Sequence, residues 1–192
     1  MSVGKIGQAR RAPLLHGLLI AGAFAGLMLA MTGAARGLQF AYAHPTVEEY
    51  LAHVGDGKAK LVPAGALIYD GAQFECGRFP TVLNASLNDY GAAYFGFILL
   101  NPARFEQMPL TLKRYAYAHE CGHQYVGYDE GEADCYAVRR GRAEGWLDTK
   151  AMDAICAFIS RSKGDGVHAL GKRRCAMMQQ CFVRARPGRE QL

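Results

Sequence analysis

Apolar and polar positions change period several times along the chain, and each change marks an element. Leu14 to Met31 is an uncharged apolar run interrupted only by His16. Pro45 to Ala52 (PTVEEYLA) predicts a short helix, with Thr46 as N-cap and Glu49, three residues on, completing a capping box. Gly55-Asp56-Gly57 predicts a turn. Leu61 to Tyr69 is β-branched and aromatic but broken by Pro63 and Gly65, which predicts a weak strand. Phe74 to Phe79 and Thr81 to Leu83 predict a second strand or a hairpin arm. The clearest strand is Ala92 to Leu100 (AAYFGFILL), ended by Asn101-Pro102.

From Pro109 the period becomes helical. Leu112, Tyr115, Ala116, His119, Gly122 and His123 share one broad face, predicting a helix from about Leu110 to Val126. Gly127 supplies a left-handed stop. Asp129 caps a following helix, with Glu132 in the third position, and Gly145 ends it after about Glu144. A third helix follows Asp148 or Thr149 and runs to about Ser162, with Met152, Ile155, Cys156 and Ile159 on one side. After a turn at Lys163 to Gly166, a last helix runs from about Gly171 to Val183. The expected fold class is α+β: a small, mostly antiparallel sheet beside the Leu110–Val126 helix, then a helical C-terminal half. The expected organisation is one domain over 44–183, preceded by an export segment (1–43) and followed by a flexible basic tail (184–192). A chain of 192 residues, 51% hydrophobic and 20% charged, suits one such core.

Charge changes the picture in one respect. The net charge of +5 invites a nucleic-acid partner, but Lys5, Arg10, Arg11 and Arg36 lie in residues 1–43 with no acid, leaving about +1 for the rest. No nucleic-acid partner is expected. The same basic residues precede the apolar run and the small residues after it, and Ala41-Tyr42-Ala43 predicts signal cleavage before His44. A site near Ala34 or Ala35 is the second choice. Residues 14–31 are also long enough for an uncleaved anchor, the one membrane contact expected. Arg10-Arg11 departs from a twin-arginine signal at Pro13. The expected location is exported: periplasmic or secreted, with 14–31 as anchor if retained. Asn84-Ala85-Ser86 matches a glycosylation sequon that would matter only in a eukaryotic secretory pathway. The six cysteines (76, 121, 135, 156, 175, 181) all follow the signal, and an even count in an exported chain predicts disulfides. Cys121 is the one most expected to stay a buried free thiol. A bridge from Cys135 to Cys175 or Cys181 would brace the helix that begins at Glu130.

The candidate chemistry sits on the Leu110–Val126 helix. His119-Glu120-Cys121-Gly122-His123 spells HExxH, a zinc hydrolase signature. At about 100° per residue, the two imidazoles lie about 40° apart, Glu120 lies beside them and Cys121 faces away. A catalytic zinc takes three protein ligands and leaves a position for water. His119 and His123 give two. Glu130, the first helical residue after Gly127, is the expected third, with Asp129 and Glu132 as competitors. Asp134 lies one turn beyond Glu130 and could fix a ligand imidazole. The expected cofactor is one zinc ion, with Glu120 as general base toward a zinc-activated water and a peptide or protein as substrate. An oxyanion donor is expected from His168, with Tyr125 and Tyr128 as alternatives; position alone favours a surface-loop histidine for His168. A strand just before such a helix either lays out an extended substrate by strand addition, as in zincins, or is plain core.

His119-Glu120-x-x-His123, then Glu130-x-x-x-Asp134, then His168 with Arg174 six residues on, resembles the HtpX/CaaX-protease type of gluzincin. The resemblance implies a zincin-like fold and zinc metalloendopeptidase activity. It implies Glu130 as third ligand, Asp134 behind the ligands, His168 as oxyanion donor and Arg174 as support near the ligand carboxylate. A narrower likeness is to small exported metallopeptidases with E-x-x-A-D-C after HExxH, here Glu130 to Cys135, and a later G-D-x-x-H stretch, here Gly164 to His168. It covers roughly residues 92–182 and would use Arg173 as the arginine. This chain departs from the pattern in having Ala169 where proline is usual, a short interval from His123 to Glu130, and none of the transmembrane helices of the membrane-embedded relatives. Two rivals stand beside this expectation: an exported non-catalytic zinc-binding or scaffold protein with a degenerate site, and a hydrolase of a non-peptide amide.

Overall fold

The structure is a computed structural model that describes residues 44–55 and 57–188. The expected export segment and the end of the expected tail lie outside the described residues.

Helix α1 (Val47–Val54) is set by the capping box: the Glu49 amide donates to Thr46 Oγ1 and the Thr46 amide to Glu49 Oε2. Six short strands follow: β1 (Ala59–Val62), β2 (Leu67–Tyr69), β3 (Ala72–Phe74), β4 (Thr81–Asn84), β5 (Gly91–Tyr94) and β6 (Phe97–Leu100). Two expected strands are each two strands. Leu61–Tyr69 divides because Pro63 and Gly65 turn the chain, with the Ala66 amide on the Pro63 carbonyl, and β2 leaves the first sheet to pair with β3. Ala92–Leu100 divides at Phe95-Gly96, where Gly96 takes φ 104°, so the apolar run is a tight hairpin. Four strands form a mixed sheet in the order β1-β4-β6-β5, antiparallel at β1–β4 and β5–β6 and parallel at β4–β6.

Five helices follow: α2 (Pro102–Glu106), α3 (Leu110–Val126), α4 (Glu130–Ala143), α5 (Thr149–Ile159) and α6 (Gly171–Arg184). The molecule is therefore α+β, with a small mixed sheet and a helical second half. The expected helices appear; in α4 Asp129 accepts from the Glu132 amide and in α5 Asp148 from the Ala151 amide, whereas α3 starts at Pro109 with no side-chain cap. Helix α2 was not expected, although Asn101 as N-cap and Pro102 as first helical residue spell its start.

One sheet face meets α1 through Tyr50, Val82, Phe97 and Leu99. The larger core lies on the other face, where Ile98, Leu100, Phe105, Tyr117, Val138, Ile155 and Met178 pack between sheet and helices. The hairpin β2–β3 is tied to α3 by the buried Lys113, whose ammonium lies 2.6 Å from Asp70 at the hairpin tip.

The two middle residues of HExxH hold α3 in place. Cys121 is not a free thiol: it pairs with Cys76, just after β3. The expectation failed because helical phase shows only that Cys121 faces away from the histidines, and the approach of a distant loop is not visible locally. Gly122 lets α4 come close, since a Cβ there would sit 3.1 Å from the Ala133 Cα. The other disulfides are Cys135–Cys181, joining α4 to α6, and Cys156–Cys175, joining α5 to α6. Three disulfides are compatible with an exported protein. No helix among the described residues is long and apolar enough to cross a membrane.

Candidate functional site

The site forms where α3 and α4 meet after the turn at Gly127. Gly127 has φ 70° and ψ −143°, a conformation largely confined to glycine and different from the expected left-handed cap. It aims its carbonyl at His123, whose Nδ1 donates to it at 2.7 Å. The chain then reverses into α4, and Glu130 returns to the two histidines.

His119 Nε2 lies 3.1 Å from Glu130 Oε2 and 3.2 Å from His123 Nε2, and His123 Nε2 lies 3.6 Å from Glu130 Oε1. Donor atoms of all three residues fall within 4.8 Å of one another, so the group could hold a metal ion. The donor chemistry fits. Four donors about 2.1 Å from a cation stand about 3.4 Å apart at tetrahedral angles, close to the observed separations. Each imidazole also has its Nδ1 against an acceptor, which leaves both Nε2 atoms facing the same point. Of the other expected ligand candidates, Asp129 is spent as an N-cap and Glu132 is exposed beside Arg139.

Behind His119 lies a buried ionic network. Asp134 is fully buried, with Oδ1 2.9 Å from His119 Nδ1, in ion-pair range but off the line of a good hydrogen bond. Arg174 from α6 donates to both Asp134 oxygens, at 2.8 and 2.7 Å, and to the Tyr115 hydroxyl at 3.2 Å. Tyr115 in turn donates to Asp134 Oδ1 at 2.5 Å. The arginine therefore bonds Asp134, with the Glu130 charge close enough to act on it, and Arg173 is exposed. Helical spacing alone puts Tyr115 on an apolar helix face. Its place one turn before His119 was the available signal.

Electrostatics follow from this packing. Burial works against the Asp134 carboxylate, but hydrogen bonds from Arg174 and the close His119 ring hold its pKa well below the usual range. Burial likewise opposes a charge on His119, yet Asp134, Glu130 and the nearby Glu120 raise its pKa to about 10. Without a cation, a proton on His119 thus balances the carboxylates. Burial, opposed by the Gly127 hydrogen bond and aided by His119, lowers the His123 pKa. Burial lifts the Glu120 carboxyl to about 7, with His119 opposing and Glu130 and Asp89 adding to the rise.

Glu120 lies against Gly91 of β5: a Cβ on Gly91 would stand 2.9 Å from the Glu120 Cγ. Nothing in the local sequence marked Gly91 as a neighbour of the motif. His168 also reaches the site, with Nε2 3.2 Å from Glu130 Oε2 and Nδ1 3.0 Å from Asp165 Oδ2. Asp165 also accepts from the Val167 and His168 amides, fixing the loop. Tyr128 lines the cavity and contacts His44 across its rim, whereas Tyr125 stacks on Tyr136 away from it. The cavity measures about 690 Å³ and is bounded by β5, α3, the start of α4 and the segment after α5. Thus His119, Glu120, His123, Glu130 and His168 line one cavity, with Asp134 and Arg174 against its floor.

No family model matches the chain, and no curated protein or solved structure matches it either.

Proposed function

We propose that the protein is an exported zinc-dependent hydrolase with a zincin-like site, and that it cleaves peptide bonds. The observation that carries this reading is the convergence of His119, His123 and Glu130, at tetrahedral-edge distances, beside a carboxyl that ligates nothing. Nitrogen and oxygen donors in that number suit zinc with one open position. Zinc bound there supplies acidified water and draws electron density from a carbonyl.

The chain's own residues supply the rest. Glu120, whose carboxyl pKa is lifted by burial to about 7 in the metal-free protein and which holds no metal itself, can take a proton from water and return it to a leaving amine. Asp134 fixes the His119 ring and keeps its Nε2 turned inward. His168 stands beside Glu130 with its Nε2 toward the cavity; with Nδ1 held by Asp165, the ring with both nitrogens protonated can donate from Nε2 to a developing oxyanion.

The sheet edge favours a peptide. β5 is the end strand of its sheet and lines the cavity. The Asn101 amide donates to the Tyr90 carbonyl, so antiparallel alternation turns residues 90, 92 and 94 toward β6. Gly91 and Ala93 then present their N–H and C=O groups outward, where an extended chain can add as a strand. β6, by contrast, is wholly buried core, so the apolar run of 92–100 contains both an edge and a core strand.

The test is metal analysis of the purified mature domain together with cleavage of a broad peptide library. One zinc per chain and chelator-sensitive cleavage are expected. Bound zinc with no cleavage of any peptide would favour the non-catalytic zinc-binding reading.

A further inference from the structure

The cavity continues past Glu120 in one direction. Ala116, one turn before Glu120 on α3, lines that part with Tyr90, Met108, Phe158 and Ile159. The Tyr90 and Phe158 rings meet edge to face at 5.9 Å, and Met108 and Ile159 are themselves buried. A pocket with these walls accepts a large apolar side chain.

The sheet edge gives this pocket a direction. Gly91 lies against Glu120, and the Tyr94 carbonyl accepts from Gln124 Nε2 at 2.8 Å. β5 therefore runs alongside α3 in the same sense. A peptide added antiparallel to β5 runs the opposite way, with its N-terminal part beside Tyr94 and its C-terminal part toward Tyr90. The apolar pocket then receives the residue on the leaving-group side of the scissile bond.

A cation stands beside this apolar wall. Arg161 lines the same cavity, and its guanidinium lies 5.7 Å from the Phe158 ring centre. Its Nε donates to the Ala157 carbonyl at 3.1 Å, which orients the side chain and leaves both terminal nitrogens unspent. Among the described residues Arg161 forms no ion pair. Asp165, which also lines the cavity, is engaged by His168 and the backbone of its own loop. A planar guanidinium held beside an apolar pocket suits two-pronged recognition of a carboxylate.

We propose that this pocket binds a large apolar C-terminal residue and that Arg161 reads its free carboxylate, so that the protein trims peptides from the C-terminus. This rests on the hydrolase reading above. The amide C–N bond breaks, and water gives its hydroxyl to the acyl carbon and its remaining proton to the amine. The products are a peptide shortened by one residue and a free apolar amino acid.

The experiment has a binding arm and a cleavage arm. In the binding arm, calorimetry compares N-acetylphenylalanine with N-acetylphenylalaninamide on the wild-type protein and on Arg161→Gln. The carboxylate is expected to bind wild type about tenfold more tightly, and the preference should vanish in the variant. A preference that survives in Arg161→Gln places the carboxylate elsewhere and overturns the assignment. In the cleavage arm, acetyl-Ala-Ala-Phe is expected to lose phenylalanine at least tenfold faster than its C-terminal amide reacts. Equal cleavage of acid and amide overturns C-terminal trimming while leaving the hydrolase intact. Absence of all cleavage, with the Arg161-dependent binding preference retained, removes the hydrolase and supports the pocket.

Discussion

Asp134→Asn removes one charge and almost no volume. In the native protein that carboxylate takes two hydrogen bonds from Arg174 and one from Tyr115, and faces His119 Nδ1 at 2.9 Å. Asparagine keeps one acceptor oxygen but places an NH₂ against a donor. Arg174, buried and with no other carboxylate partner among the described residues, is left uncompensated. Breaking a buried ion pair on one side costs about 3–5 kcal/mol, and the retained acceptor puts this case near about 3 kcal/mol. The ring of His119 also loses its anionic support, which predicts about a 10–100-fold loss of zinc affinity. Urea denaturation in chelator, without reductant, measures the first quantity, and competition with a chromophoric zinc chelator measures the second. Adding Arg174→Met should recover at least half of the lost stability, because no charge is then buried alone, and should leave zinc affinity low. A stability loss below about 1 kcal/mol with unchanged zinc affinity would refute this account of Asp134.

Metal binding should depend on pH through His119. Its pKa is raised from 6.5 to about 10, so in the metal-free protein its stabilising contribution is full below 6.5 and fades as pH rises through about 10. Asp134, lowered from 3.8, adds stability above that value and loses it as pH falls through its depressed pKa. Zinc must displace the His119 proton, so apparent affinity should rise about tenfold per pH unit between about 7 and 9; a flat profile would contradict the assignment. Gly91→Ala should push the Glu120 side chain away, lowering peptide cleavage on the order of 10- to 100-fold while one zinc is retained; unchanged cleavage would show that Glu120 tolerates the new Cβ. Removing the Cys76–Cys121 bridge as a double alanine variant opens a loop of sequence separation 45 and should cost about 4 kcal/mol of unfolding free energy, read by non-reducing denaturant melts.

Much of this architecture was legible because its signals are local. Thr46 with Glu49, Asp129 with Glu132, and Asp148 each spell a helix start within four residues, and each cap forms. The spacing of His119, Glu120 and His123 fixes their directions on one helix, and Gly127 makes the return of Glu130 possible. What could not be read depends on distant contacts. Phe95-Gly96 hides a hairpin inside a run whose apolar length resembles one strand, since β5 and β6 are both apolar for different reasons. Cys121 could be placed on the back of α3, but only the fold brings Cys76 to it; for Cys135 the sequence leaves Cys175 and Cys181 open, and the fold pairs it with Cys181. Tyr115 looked like core because its hydroxyl partners, Asp134 and Arg174, arrive from two other helices. Gly91 and Arg161 were invisible for the same reason: their meaning lies in what stands opposite them across the cavity.

The central claim is that Glu120 does chemistry beside a metal it does not hold. Glu120→Gln keeps the shape and the three ligands but removes the base. Zinc content and peptide cleavage measured on the same preparation give the decisive comparison. The variant should retain one zinc per chain and lose cleavage by at least about 10²–10⁴-fold. Cleavage at the wild-type rate with zinc in place would contradict the account.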